Sequence, residues 1–206
     1  MNYLAHAALA KATHESLVGN LLGDFCKGVA LSSLSDPMLA ALANHRAVDR
    51  FTDTHPLVQQ AKKAFSPARR RFAGVALDML FDHYLIRHWQ RFHLQPFDVA
   101  KAQLYQHLAH AEPLMPLPMR LTMQKVRQQD WLNAYEHLPR LARALDNVAL
   151  RIRFENAFTG IIHEITPNYL ALEQLFLAFY PALQQHVMTL GLEQESEANL
   201  MLMPHL

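Results

Sequence analysis

Apolar residues recur along this chain at spacings of three and four with few interruptions, the period of helices that bury one stripe and wet the other. The pattern predicts a first helix from about Asn2 to Lys11 and a second from about Ser16 to Val29. A third follows Asp36-Pro37, where a first-turn proline suits a helix start, and runs to about Phe51. Pro56 forces the break, because the residue before a proline is pushed out of helical geometry, and a further helix is expected from Leu57 to Phe65. From Ser66-Pro67 to His93 the pattern is continuous, and Asp78, Asp82, Leu85 and Trp89 fall on one stripe of it. Phe97 to Ala111, Arg120 to Tyr135, Pro139 to Thr159 and Asn168 to Thr189 complete the set, the last begun by Thr166-Pro167. Three prolines between Glu112 and Pro118 exclude regular helix there and mark the best linker candidate.

Only six glycines punctuate the chain and no fixed-period repeat appears, so the expected fold is all-α rather than a sheet of many turns. Residues 1–206 are read as a single compact helical domain in two packed layers, with a loosely held tail after Gly191. At 206 residues, 51% hydrophobic and 18% charged, the composition suits one substantial core and excludes disorder. The single Cys26 cannot form an internal disulfide, and no apolar run reaches the roughly 18 residues of a membrane span. The N-terminus lacks the basic start of a signal peptide, so the expectation is a cytoplasmic protein that meets no membrane.

Net charge is only +1, yet nine basic residues face four acids between Arg46 and Arg91, which favours an anionic partner. No strongly basic overall charge supports nucleic acid. Within this region carboxylates sit inside apolar segments, above all in Leu77-Asp78-Met79-Leu80-Phe81-Asp82-His83. Burying an ionised carboxylate costs several kcal/mol unless a cation or hydrogen bonds offset it, and a divalent metal is the expected compensation. Arg87 offers Asp82 a plainer ion pair as the alternative.

His45 and Asp49 stand four apart on one helix and can both reach one ion; a surface ion pair is the bland alternative. Asp53 and His55 follow in a turn that returns toward the same end. Asp24 follows Gly19-Asn20-Leu21-Leu22-Gly23, whose two glycines permit close approach of a backbone or ligand; otherwise it is a turn or cap residue. Arg69-Arg70-Arg71 can grip phosphate or an acidic protein surface, or simply be a solvated helix start. His6 is held as a reserve ligand, although a histidine on an apolar helix is more often a core residue, and the same holds for His14. Trp89, Phe81 and Phe51 read as core. Oxygen and nitrogen ligands without thiolate suit Mn, Mg, Fe or Zn. No P-loop, Gly-x-Ser-x-Gly elbow or dinucleotide fingerprint is present, so serine or cysteine nucleophiles find no support.

Four blocks, Met1-Asn2-Tyr3-Leu4-Ala5-His6, Gly19 to Phe25, His45 to Pro56 and Leu77 to Leu85, resemble in order and spacing the acyl carrier protein phosphodiesterases, relatives of the HD phosphohydrolases. The resemblance implies a compact HD-like helical domain with additional C-terminal helices. It also implies hydrolysis of the phosphodiester joining 4′-phosphopantetheine to a serine of holo acyl carrier protein, an acidic protein substrate, with a divalent metal, manganese before Mg, Fe or Zn. The Asp82-His83 pair reverses the His-Asp order of the wider HD pattern. On this reading Asp24, His45, Asp78, Asp82 and His83 surround one or two metal ions, and Asp24, Asp49, His55 and Asp82 serve catalysis. Arg46, Arg50, Arg69, Arg70 and Arg71 hold the diester or the carrier. The competing expectations are a metal phosphohydrolase for nucleotides or other small phosphodiesters, and a noncatalytic helical adaptor whose Asp and His residues cap helices. Oligomeric state is left open.

Overall fold

The computed structural model describes residues 1–194 apart from 153 and 155. Among the described residues the elements are helical throughout: α1 (Tyr3–Ala8), α2 (His14–Leu22), α3 (Asp36–Thr54), α4 (Pro56–Lys62), α5 (Ala73–Arg87), α6 (Trp89–Phe92), α7 (Phe97–His110), α8 (Leu117–Gln128), α9 (Trp131–Glu136), α10 (Leu138–Ala149) and α11 (Ile162–Leu190). The all-α expectation holds.

Helix α5 is the axis. From Leu77 to Ile86 every residue but Asp78 is apolar or buried, so the helix has almost no wet face and must be covered on all sides. It is covered by α1, α4, α9, α10 and α11. Phe81 packs against Phe176 and Phe179 of α11 at ring-centroid distances of 5.3 and 5.7 Å. A second apolar cluster joins Leu17, Leu21 and Leu22 of α2 to Met38 and Leu42 of α3 and to Met119 and Met123 of α8. Gly19 explains how closely α2 and α3 meet: a Cβ there would lie 2.5 Å from the Met38 carbonyl oxygen and from the Ala41 Cβ.

Several boundaries differ from the periodic reading for local reasons. The expected helix over 120–135 is cut in two because Asp130 adopts a left-handed conformation (φ 45°) and its side chain caps α9 by accepting from the Asn133 amide. The proline-rich segment ends earlier than expected, since Pro118 falls in the first turn of α8, where its missing amide costs nothing. Helix α11 starts before Thr166-Pro167 and carries Pro167 and Pro181 inside it, its apolar packing outweighing two lost amide donors. Past Gly191 the chain is tied down as far as Glu193, whose carboxylate accepts from Ser16 Oγ and, at 2.8 Å, from Asn20 Nδ2. The rest of the expected loose tail, 195–206, lies outside the described residues. No helix among the described residues is long and apolar enough to cross a membrane.

Candidate functional site

The site forms where α1, α3 and α5 meet. On α3, His45 is buried and its Nδ1 lies 2.7 Å from the Asn20 carbonyl oxygen of α2, which accepts that N–H and leaves Nε2 free to face inward. Nε2 is 3.0 Å from Asp49 Oδ2, the i and i+4 pair expected from the sequence. Gly23 makes the placement possible: a Cβ there would fall 1.9 Å from His45 Nε2. The glycine-bracketed run before Asp24 therefore serves two close approaches, Gly19 to α3 and Gly23 to the imidazole.

His6 on α1 stacks on His45 with ring centroids 4.0 Å apart and planes 19° from parallel. Its Nε2 is 3.2 Å from Asp49 Oδ1 but out of line for a hydrogen bond, and both its ring nitrogens are buried without a hydrogen-bond partner among the described residues. Buried polar atoms are rarely left this way, which marks His6 as a candidate metal ligand. Burial, opposed by Asp49, lowers its pKa to about 4, so the ring is neutral at pH 7 with a lone pair to donate. One ligand atom each from His6, His45 and Asp49 lie within 4.8 Å of one another, and two imidazoles with one carboxylate are a donor set that suits Zn, Mn or Fe.

Carboxylates and one amine surround this trio. The Met1 ammonium sits 3.2 Å from Asp49 Oδ1 and 3.1 Å from Asp78 Oδ1. Burial disfavours its charge, but the two aspartates outweigh burial and raise its pKa. For Asp49 burial pushes upward, yet His45, His6 and the ammonium hold the carboxyl well below the usual carboxylate range. Burial works against charge on His45 as well, but Asp49, the Asn20 carbonyl and Asp24 raise its pKa overall. Asp24 stands on the rim with some surface open to solvent; the protein around it, helped by Asp49 and Asp78, pushes its carboxyl up, with His45 pulling the other way. Asp78 is likewise raised, chiefly by burial, with the ammonium opposing.

Other expected residues lie elsewhere, and each has a physical reason. Asp82 is fully buried, but its oxygens accept from the amides of Leu4 and Ala5, each at 3.0 Å, instead of turning to the trio. It is a helix cap supplied across the fold: Asn2 provides no side-chain cap to α1, and Asp82 takes that place. His83 is held by the Tyr135 carbonyl (2.6 Å) and the Tyr169 hydroxyl (2.7 Å). The structure therefore does not bring either of these expected ligands to the trio. His55 uses Nδ1 to accept from the Leu57 amide at 3.3 Å and packs on Phe51 and Phe179, so it caps the start of α4 and is not among the trio.

The arginine triplet is also committed. Arg69 donates to the carbonyls of Ala157 (2.7 Å) and Thr159 (2.9 Å) and pairs with Glu164 at 3.3 Å. Arg70 donates to the Phe65 carbonyl at 3.3 Å, and Arg71 lies 4.5 Å over the Phe72 ring. Arg69 thus locks the approach to α5 against that of α11, while Arg70 and Arg71 stay exposed with local contacts. Arg87 pairs with Glu173, not with Asp82. Arg46 and Arg50 stay exposed on α3, one position past His45 and Asp49, with no carboxylate within 4.0 Å among the described residues. The residue undervalued in the sequence is His6, whose signal was an imidazole in Leu4-Ala5-His6-Ala7-Ala8 with no charged neighbour at helical spacing.

The family described as acyl carrier protein phosphodiesterase matches residues 1–183. Proteins named acyl carrier protein phosphodiesterase are similar over most of the chain. That of Yersinia enterocolitica is 40% identical over 89% of this chain and 95% of its own, and that of Pectobacterium atrosepticum 37% over 90% and 96%. That of Escherichia coli O157:H7 is 34% identical over 88% and 94%. No solved structure matches the chain.

Proposed function

The chain belongs to the acyl carrier protein phosphodiesterase family, and from that membership we propose that it hydrolyses the phosphodiester between 4′-phosphopantetheine and the serine of holo acyl carrier protein. The products are apo carrier and free 4′-phosphopantetheine. One observation carries the chemistry: one ligand atom each of His6, His45 and Asp49 converge within 4.8 Å, with both His6 ring nitrogens lacking hydrogen-bond partners among the described residues.

His6 Nε2, His45 Nε2 and an Asp49 oxygen are the groups that would hold a divalent metal, with manganese the first choice and Mg, Fe or Zn as alternatives. When bound, such an ion supplies positive charge for the phosphoryl oxygens and acidifies water. The protein's own part is orientation and proton traffic. The Asn20 carbonyl fixes the His45 tautomer so that Nε2 points at Asp49. Asp82, by capping α1, fixes the position of His6 two residues past its first bond. We assign to Asp24, whose carboxyl pKa is raised chiefly by burial and which keeps surface open to solvent, the transfer of a proton to the departing serine oxygen as the phosphorus–oxygen bond breaks. Asp78 keeps the ammonium beside Asp49 and so keeps that carboxylate ionised. Arg46 and Arg50, exposed on the same helix as His45, are free to meet the anionic diester.

The direct test is mass spectrometry of holo acyl carrier protein before and after incubation with the protein and Mn. Loss of the prosthetic group from the carrier is the expected result; a carrier of unchanged mass at high enzyme concentration rejects the assignment.

A further inference from the structure

A cavity of about 450 Å³, in the range of small-ligand sites, lies between α9 and α10, and none of the residues the sequence pointed to lines it. Its wall is cationic. Arg140, Arg143, Asn147 and Arg151 succeed one another at steps of three, four and four, so they form one exposed stripe along α10 and just past its end. Among the described residues none of the three arginines has a carboxylate within 4.0 Å, while Arg69, Arg87 and Arg127 all do. Asp130, the acidic residue in the cavity lining, is already engaged by the Tyr105 hydroxyl at 2.8 Å and by Lys101 at 3.6 Å. Beneath the guanidiniums the lining turns apolar, with Trp131 and Met79, and Arg151 lies 5.8 Å over the Trp131 ring.

Position ties this surface to the site. Met79 of the lining directly follows Asp78 on α5, the aspartate that pairs with the Met1 ammonium. Burial raises the Tyr3 pKa, with Asp24 adding to the rise and Arg151 opposing it, so the rim carboxylate and one arginine of the stripe both act on a single side chain.

We propose that the Arg140, Arg143 and Arg151 stripe of α10, with the apolar cavity under it, is the docking surface for an acidic helix of the protein substrate. The proposal rests on the function given above, because a reaction at a serine ester on a folded protein requires that protein to seat beside the site. From Arg140 to Arg151 the stripe extends about 16 Å at 1.5 Å per residue, about three helical turns. That length matches a facing helix with a carboxylate at each turn, and the cavity receives an apolar side chain from between them. Charged rims of this kind act chiefly on encounter and weaken with salt, so they set KM and leave the chemical step alone.

Substituting Arg140→Glu and Arg143→Glu together tests this. Holo acyl carrier protein is the substrate, bis(p-nitrophenyl) phosphate is the small diester, and apo carrier is the ligand for calorimetric binding. The expected result is a rise in KM for the carrier of about tenfold or more at low salt, with a matching loss of apo-carrier affinity. The kcat and the small-diester rate should stay within about twofold. Arg140→Ala with Arg143→Ala, which removes charge without reversing it, should give a smaller shift in the same direction and guards against misfolding of the reversed variant. Carrier KM and apo-carrier affinity within about twofold of the unmodified protein in both variants overturn the docking surface. Should the unmodified protein leave holo carrier intact yet bind apo carrier in an arginine-dependent way, the activity falls and the surface stands.

Discussion

Asp49 is the side chain on which the local electrostatics turn, since one oxygen faces His45 and the other is shared between His6 and the Met1 ammonium. Replacing Asp49 or His6 by alanine should lower carrier hydrolysis by about 100-fold or more and remove stoichiometric Mn from the purified protein, with the helical circular-dichroism signal kept. Activity within a few-fold of normal in either variant would remove that residue from the site. Asp82 makes a different prediction. Burial, against the pull of the Leu4 and Ala5 amides, raises its pKa to about 7, above the 3.8 of a free side chain. The folded state therefore binds this proton more tightly than the unfolded state, and the resulting stability is complete below about pH 4 and is lost as pH climbs to about 7. Urea melts of the unmodified protein and Asp82→Asn between pH 4 and pH 8 should show the former losing ground across that window, by up to about 4 kcal/mol at about 1.4 kcal/mol per unit. Parallel profiles would refute it. At this scale the His45 and Asp49 pairing was legible, because i and i+4 spacing dictates a shared face. The role of Asp82 was not, because its partners are amides 78 and 77 residues away and backbone donors leave no trace in a side-chain pattern.

Among elements, the contact of α2 with α3 does most to shape the site, and two glycines set its closeness. Gly23→Ala should displace the His45 ring, whose Nε2 would lie 1.9 Å from the new carbon. Turnover should fall at least about tenfold, with a loss of stability of about 1–3 kcal/mol for the overpacked contact. Gly19→Ala meets backbone as well as side chain and should be the more destabilising of the two, with a chemical-denaturation midpoint below that of Gly23→Ala; the reverse order would mean that α2 can slide. The helices themselves were largely readable from apolar spacing, α3, α4 and α7 above all, whereas the pattern expected from Ser66-Pro67 to His93 divides into α5 and α6. What escaped was their punctuation. A left-handed aspartate at Asp130 splits one expected helix, and Pro167 sits inside α11 instead of starting it, because packing around Phe176 and Phe179 overrides the local signal.

For the molecule as a whole, a bound ion and a folded site should support each other. With Mn at about 100 times its dissociation constant the folded state gains about 2.7 kcal/mol, a rise in Tm of roughly 5–10 °C for a chain of this size. Differential scanning fluorimetry in chelator and after Mn is restored measures it, and identical Tm values in both conditions would sink the metal reading. His6→Ala should abolish the rise. The acyl carrier protein phosphodiesterase family was legible from four short blocks, three of which, Met1 to His6, Gly19 to Phe25 and His45 to Pro56, contribute to the trio or its rim. The arginine stripe of α10 was not, since residues 140, 143 and 151 acquire a shared purpose only once a cavity opens between α9 and α10.

The carboxylate that caps α1 is made long after the helix it caps. During synthesis the segment carrying His6 leaves the ribosome with its first amides unmet, and stays so until about eighty more residues have followed and α5 can dock. The nascent chain must therefore keep its opening helix waiting, and amide protons of Leu4 and Ala5 should become resistant to exchange only in nascent chains long enough to expose α5.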